Sequence, residues 1–323
     1  MNAHIFALYI KEQFWVSPQH VSQKQVQKNI AVQTLTQKEA TAQKIVEQER
    51  GSKKQETQPL VQQELIIQDS ATVHRMLHVL RLEKNDPIIV FNQDYSATGT
   101  ILEINKKSCA IALQTITTTK QITPTIHWFL PLLDRTDFEQ SIYHLTVLGV
   151  TSITPYISKK TRHNWGSEKD FERIHSVMVS AAEQSKQFCL PKINKPELLE
   201  KLSEKIASNS IAHYHTILLD VAGKENLITT LGQFVEQFTA DTSPILSHSK
   251  LTTARKTVTA EDPTIADKPA NLAFIAGPEG DLTPDEYAMI MPHVSAHCTL
   301  TTTVLKACDA IFLASGIART MLV

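Results

Sequence analysis

The sequence is short of cysteine, of long apolar runs and of net charge, and each shortage closes off a class of protein. Four cysteines occur in 323 residues, Cys109, Cys189, Cys298 and Cys308, scattered and without a CxxC pair. That spacing offers neither a disulfide framework nor a paired-thiolate zinc site and fits reduced thiols, so a cytoplasmic protein is expected. His297 beside Cys298 reads as a strand residue next to a buried thiol, and no metal is expected. No apolar run reaches the roughly 18 residues a membrane helix needs, so no membrane partner is expected. The amino terminus, MNAHIFALYIKEQFW, carries charge too early and lacks a small-residue cleavage site, which argues against a signal peptide. A formal net charge of -1 gives no global basic signal for nucleic acid, so any RNA contact must come from local patches.

What is present suits two globular domains. The chain is 42% hydrophobic and long enough for two cores. From Glu64 to about Thr119 short alternating runs predominate (LIIQ, PIIVFN, ATGTILEI, SCAIALQ), punctuated by Asn85, Pro87 and Gly99 and interrupted by the short helix or turn VHRMLHVLRLE. That texture predicts a small β-barrel over residues 1–120. From about Ile122 strands and helices alternate: IHWFLPLL, a helix capped by Thr136 with Glu139 in the capping-box position, TSITPYI, a helix over about Glu168 to Lys186, then HTILLD, LAFIAG and AHCTL. Alternation predicts an α/β domain with a mostly parallel sheet over residues 121–323. Two stretches stand apart. A Gln/Lys-rich insert at about 19–63 reads as a solvated helix or disordered insertion, and a Ser/Thr/Pro-rich segment at about 241–270 reads as a long loop.

The stretch FIAGPEGDLTPDEYAMI is the most informative. Leu272 to Ala276 form a short apolar strand, Thr283 is an N-cap, Pro284 takes the first helical position, and Glu286 completes a capping box. The GPEG loop therefore lies at the carboxyl end of a strand, where ligands bind in open α/β sheets. Two similar crossings accompany it, Asp220-Val221-Ala222-Gly223 and Leu300-Thr301-Thr302-Thr303. None of the three is GxGxxG or GxxxxGKS/T, so nothing is built for a pyrophosphate or triphosphate. A ligand without phosphates, held by main chain and apolar walls, fits better, and S-adenosylmethionine is of that kind.

Five motifs in order carry a resemblance to a family. They are VHRMLHVLRLEKND (Val73 to Asp86), DRTDFEQSIYHLTVLGVTSITPYIS (Asp134 to Ser158), AAEQSKQFCLP (Ala181 to Pro191), GPEGDLTPDE, and LTTTVLKACDA. The chain resembles the bacterial 16S ribosomal RNA uridine N3-methyltransferases, the RsmE-like branch of the SPOUT methyltransferases. The resemblance implies a PUA-like β-barrel followed by a SPOUT-type parallel sheet with a C-terminal trefoil knot. It implies a homodimer that methylates N3 of a uridine in 16S rRNA of the small ribosomal subunit, with S-adenosylmethionine bound in the knot loops. On this chain the cofactor residues become Leu219, Gly277, Pro278, Glu279, Gly280, Leu300, Thr302 and Leu305.

Methyl transfer to uridine N3 requires loss of the N3 proton and in-line placement of the reacting atoms. The sulfonium is already activated, so the chemistry needs no metal. Lys306 is assigned to stabilise charge on the uracil oxygens, and Asp309 to the role of the family's carboxylate. RNA contact is assigned to His74, Arg75 and Arg81, and to Lys160 and Arg162 with Trp165 close by. The family pattern is altered at several positions: Asp281 stands for the second glycine of GPEGG, Thr301 for Gly, Thr303 and Lys306 for Arg, Cys308 for Glu, and Asp309 for Thr. Two alternatives stay open. One is an RNA-binding protein of the same fold with impaired catalysis, and the other is a methyltransferase for a different RNA nucleotide.

Overall fold

The computed structural model describes residues 5–11, 63–207, 214–242 and 271–322. The Gln/Lys-rich insert, apart from its last residue, and the 241–270 segment beyond Thr242 lie outside the described residues. Two compact units divide between Thr118 and Thr119.

The first unit is a five-stranded sheet. Its strands are β1 (Phe6–Tyr9), β2 (Gln63–Ile67), β3 (Pro87–Phe91), β4 (Tyr95–Ile104) and β5 (Cys109–Thr118), in the order β1-β3-β4-β5-β2. β1 runs parallel to β3 and the other pairs are antiparallel. Alternating residues point inward, Ile88 and Val90 on β3 and Ile111 and Leu113 on β5, as a half-solvated sheet requires. Between β2 and β3 the helix α1 (Ser70–His74) starts at Asp69, whose carboxylate accepts the Thr72 amide at 2.9 Å. It widens into a π-helical turn over Arg75–Val79, burying Val73 and Met76 while His74 and His78 stay at the surface with rings 4.5 Å apart. Of the two readings of VHRMLHVLRLE, short helix or turn, the structure shows a helix, and its change of pitch leaves no mark on the apolar pattern. The strand β1 was also invisible to periodicity, because four residues carry no usable repeat.

The second unit is a sheet in which every pair is parallel. Its strands are β6 (Thr125–Pro131), β7 (Ser152–Ile157), β8 (Lys192–Ile193), β9 (Glu197–Leu198), β10 (Tyr214–Leu219), β11 (Glu225–Asn226), β12 (Asn271–Ala276) and β13 (Ala296–Thr299). The order is β11-β13-β10-β12-β6-β7-β8, with β9 also on β7. Helices cover both faces. On one side α2 (Arg135–Val147), α3 (Glu168–Ser185), α5 (Leu227–Thr242) and α7 (Ala307–Leu322) bury Ile126, Trp128, Leu130 and Phe274, with Trp128 stacked on Phe274 at 5.1 Å. On the other side α4 (Leu199–Ala207) and α6 (Pro284–Ile290) cover Phe129, Tyr156, Leu218 and Ile275. Central strands buried on both faces read as continuous apolar runs, which is why LAFIA and IHWFLP stand out in the sequence.

One cap differs from its expectation. Asp134, not Thr136, starts α2 by accepting the Asp137 amide at 3.0 Å, so the helix begins earlier. Glu139 then lies beyond the first turn and pairs with Arg135 and Arg173. At its other end Gly149 takes φ +64°, a left-handed conformation that suits glycine. Among the described residues no helix is long and apolar enough to cross a membrane.

A polar group sits inside the sheet. His127 on β6 is paired through Nδ1 with Ser152 and through Nε2 with Thr154 at 3.1 Å, while Asn194 donates to Thr154 at 2.8 Å. Burial pushes the His127 ring down to about 4 from an ordinary 6.5. An unfolded chain therefore binds a proton that the folded one refuses between those values. Stability is complete above about pH 6.5 and falls as pH drops toward 4, by ~3 kcal/mol. His127→Gln should flatten this part of the pH profile, measured as the difference between the two proteins' denaturant midpoints at pH 7 and pH 4.5.

Candidate active site

Three crossings converge because β10 pairs with both β12 and β13. Their carboxyl ends reach one edge of the sheet together. They enclose a cavity of about 280 Å³. Leu219, Asp220 and Val221 come from the first crossing; Ala276, Gly277, Pro278, Glu279 and Asp281 from the second; Thr299 to Thr301 and Thr303 to Leu305 from the third. Tyr287, Ala307 and Ala310 complete the wall from α6 and α7. The volume lies near the lower end of the range for small-molecule sites.

The second crossing is held from several directions. The Tyr156 hydroxyl donates to the Ala276 carbonyl at 2.5 Å, fixing the last strand residue before the loop. Asp281 takes φ +57° and donates its amide to the Pro278 carbonyl at 2.9 Å, closing a tight turn. Asp is one of the few side chains that tolerates this left-handed region, so the turn survives without a glycine here. The expected capping box forms: the Glu286 carboxylate accepts from the Thr283 amide at 2.8 Å, and Thr283 Oγ accepts the Glu286 amide. Glu286 also accepts the Lys159 amide at 2.7 Å, and Lys160 Nζ donates to the Gly280 carbonyl at 2.5 Å. Burial pushes the Glu286 carboxyl up, yet the Thr283 and Lys159 donors outweigh it and hold it below its ordinary range.

The first crossing carries its own charge. Asp220 accepts a hydrogen bond from the Tyr287 hydroxyl, accepts the Ala222 amide at 3.1 Å, and lies 3.4 Å from His297 Nε2. Burial opposes its ionisation, but these donors together keep the carboxyl low. The Tyr287 hydroxyl is raised, first by burial and then by Asp220, and stays protonated.

At the head of α7, Lys306 Nζ lies 2.5 Å from the buried Asp137 carboxylate. That contact raises the Lys306 ammonium, so it remains a cation. Asp134, Asp137 and Glu279 stand with carboxylate oxygens within 4.8 Å of one another. Asp309, one helical step away, faces solvent outside the cavity. Of the cofactor assignments, Leu219, Gly277, Pro278, Glu279, Leu300 and Leu305 line the cavity. Gly280 does not line the cavity and accepts from Lys160 through its carbonyl, and Thr302 is exposed. Of the RNA assignments, His74 and Arg81 are exposed in the first unit and Arg75 is half-buried there. Lys160 and Arg162 lie on the β7–α3 loop of the second unit. Sequence reasoning passed over Asp137, Asp220 and Tyr287. Asp220 had a visible signal, since it ends an apolar strand at a crossing. Asp137 and Tyr287 look like ordinary helix residues until distant segments meet.

A parallel α/β unit with one cavity over three neighbouring strand ends defines a small-molecule-binding domain of the doubly covered α/β class. Residues 120–239 and 224–319, together more than half of the chain, match the family described as RNA methyltransferase domain, and the chain belongs to that family. A curated relative, ribosomal RNA small subunit methyltransferase E of Synechocystis sp., is 27% identical over 138 residues, 43% of this chain. The match spans 45% of that relative's length. Among solved structures, a ribosomal RNA small subunit methyltransferase E from Neisseria gonorrhoeae bound to S-adenosyl methionine superposes with a TM-score of 0.62 at 18% identity, covering 98% of both chains. A Legionella pneumophila methyltransferase in complex with bound SAM gives 0.59 at 19% identity over 82% of this chain and 94% of its own. At such identities these structures establish the shared fold.

Proposed function

We propose that this protein transfers the methyl group of S-adenosylmethionine to N3 of a uridine in 16S ribosomal RNA. The observation that carries the reading is the cavity itself: three parallel crossings present main chain and apolar walls at one sheet edge, and Lys306 follows the lining residue Leu305 in the chain. When bound, S-adenosylmethionine supplies a methyl already activated by its sulfonium. Gly277, Pro278 and Leu300 hold the donor, with Leu219 and Leu305 as apolar walls and Glu279 at the rim; Gly280 and Thr302 shape their loops from outside. Lys306, kept charged and aimed by Asp137, faces the uracil oxygens and favours the anion left when N3 loses its proton. Asp309 is carried as a second carboxylate to be tested beside it.

The same reading takes the first unit as a PUA-like barrel that contacts RNA through His74, Arg75 and Arg81, and the segment to residue 323 as a trefoil knot. Supporting the knot, β13 enters between β10 and β11, two strands that precede it in the chain. A homodimer is supported by Phe312, 44% exposed on α7, and a cytoplasmic location by four unpaired thiols.

Calorimetry with S-adenosylmethionine should give saturable binding, and ribosomal RNA from a deletion strain should lack one N3-methyluridine. Lys306→Ala should lower kcat about a hundredfold with donor affinity retained. Unchanged turnover in both Lys306→Ala and Asp309→Ala removes this assignment of roles. The changed positions Thr303 and Cys308 favour a second reading, an RNA-binding protein without catalysis. Absence of donor binding at saturating ligand would favour it over the first.

A further inference from the structure

A second cavity, of about 300 Å³, opens in the same unit between the head of α2, the β7–α3 loop and the first turns of α3. Arg135, Arg162, Arg173 and Trp165 line it, together with Phe138 and Glu139. Its acidic groups are already engaged. Glu139 accepts from Arg135 Nε at 3.0 Å and from Arg173 Nη2 at 2.8 Å, with Arg173 Nε also on it. Asp170, also on the wall, accepts the Ser167 amide and hydroxyl and the Gly166 amide. One carboxylate thus orients two guanidinium groups and neutralises one. The two Nη groups of Arg135 stay available, and Arg162 has no carboxylate partner among the described residues. The opposite wall is aromatic. Trp165 packs on Phe138 at 5.1 Å and on Phe171 at 4.7 Å, which holds its indole in place while the residue remains partly exposed.

The two cavities are neighbours. Glu279 lines the first, Leu133 and Arg135 line the second, and Asp134, between those two, has its carboxylate within 4.8 Å of those of Glu279 and Asp137. Lys306 is bound to the same Asp137.

We propose that this cavity is the subsite for one unpaired RNA nucleotide, its phosphate on the guanidinium groups of Arg162 and Arg135 and its base against Trp165. Aromatic stacking accepts any base and guanidinium groups grip the backbone, the combination used for single-stranded RNA. The inference rests on the methyltransferase reading for its purpose, but it is tested by binding and needs no turnover.

The probe is a short oligouridylate titrated into the full chain while tryptophan emission is followed. The titration uses a Trp15→Phe background, which leaves Trp128 and Trp165; Trp128 is fully buried on Phe274, so quenching of a solvent-accessible tryptophan then reports Trp165. Saturable quenching is expected, and Trp165→Phe should abolish the signal while binding followed by a labelled probe persists. Trp165→Ala should weaken binding about tenfold or more. Arg162→Ala, at an exposed side chain, should lower the slope of log affinity against log salt by about 0.7, with S-adenosylmethionine affinity unchanged. Oligouridylate that fails to bind, that binds with Arg162→Ala at the wild-type salt slope, or that is displaced by inorganic phosphate as readily as by uridine monophosphate would overturn the subsite. The methyltransferase reading fails separately, through absent methylation of intact 16S RNA by the wild-type protein.

Discussion

Gly223→Ala should unseat the first crossing and weaken ligand binding in the cavity. The glycine lies so close to β13 that an added Cβ would stand 2.2 Å from the Cys298 carbonyl carbon and 2.4 Å from the Thr299 amide nitrogen. Both are main-chain atoms, so no side chain can swing away. The approach is itself required by hydrogen bonding. Asp220 donates its amide to the Cys298 carbonyl at 3.0 Å, and Lys224 donates to the His297 carbonyl at 3.0 Å, stitching the loop to the strand on both sides of Gly223. Relief of the clash must break this stitching or push β13 out of the sheet. Leu219 to Val221 and Thr299 to Leu300, which line the cavity, move with it. A loss of about 3 kcal/mol or more in stability is expected. Affinity for S-adenosylmethionine should fall at least tenfold, about 1.4 kcal/mol. Chemical denaturation and calorimetry measure the two effects. A variant with wild-type values for both would show that the close approach carries no constraint.

Arg319→Met should loosen the carboxyl helix by a comparable amount. The side chain is buried near the end of α7 and donates to three carbonyls, Leu148 at 2.9 Å from Nε, Pro124 at 2.8 Å from Nη1 and Gly149 at 2.5 Å from Nη2. Two of these carbonyls belong to the open end of α2, which has no helical partner for them. One guanidinium therefore caps one helix while anchoring another. Burial pushes it down to about 10, still well above neutral, so the charge persists and its hydrogen bonds are charge-assisted. Methionine fills much of the space but leaves the carbonyls buried and unpaired, at a cost of about 3 kcal/mol. For a unit of this size that lowers Tm by roughly 6–12 °C. Arg319→Lys should recover only part, because one ammonium cannot span three carbonyls set by a planar fork. Equal Tm values for wild type and Arg319→Met, read by calorimetry, would contradict this role.

The strands of the second unit were legible because their pattern is local. LAFIA and IHWFLP are buried on both sides, so burial appears as an unbroken apolar run. The capping box of Thr283, Pro284 and Glu286 was legible because an N-cap and its third helical residue are near neighbours in sequence. Asp134 as the cap of α2 was misread in favour of Thr136, since two acceptable caps lie close together and only the backbone chooses between them. The π-helical turn over Arg75–Val79 left no mark on the apolar spacing.

By itself the sequence determined the main strands of the second unit, that three crossings carry loops unsuited to phosphate, and which family the motifs follow. The tertiary structure alone decided that those crossings meet, because adjacency depends on β10 lying between β12 and β13, a strand order that no local pattern encodes. It likewise paired Lys306 with Asp137, brought Tyr287 onto Asp220 and closed Arg319 over the end of α2. Each contact joins residues far apart in the chain whose own neighbourhoods look ordinary. Short-range periodicity reports which face of an element is buried, whereas the identity of what covers that face is a property of the assembled sheet.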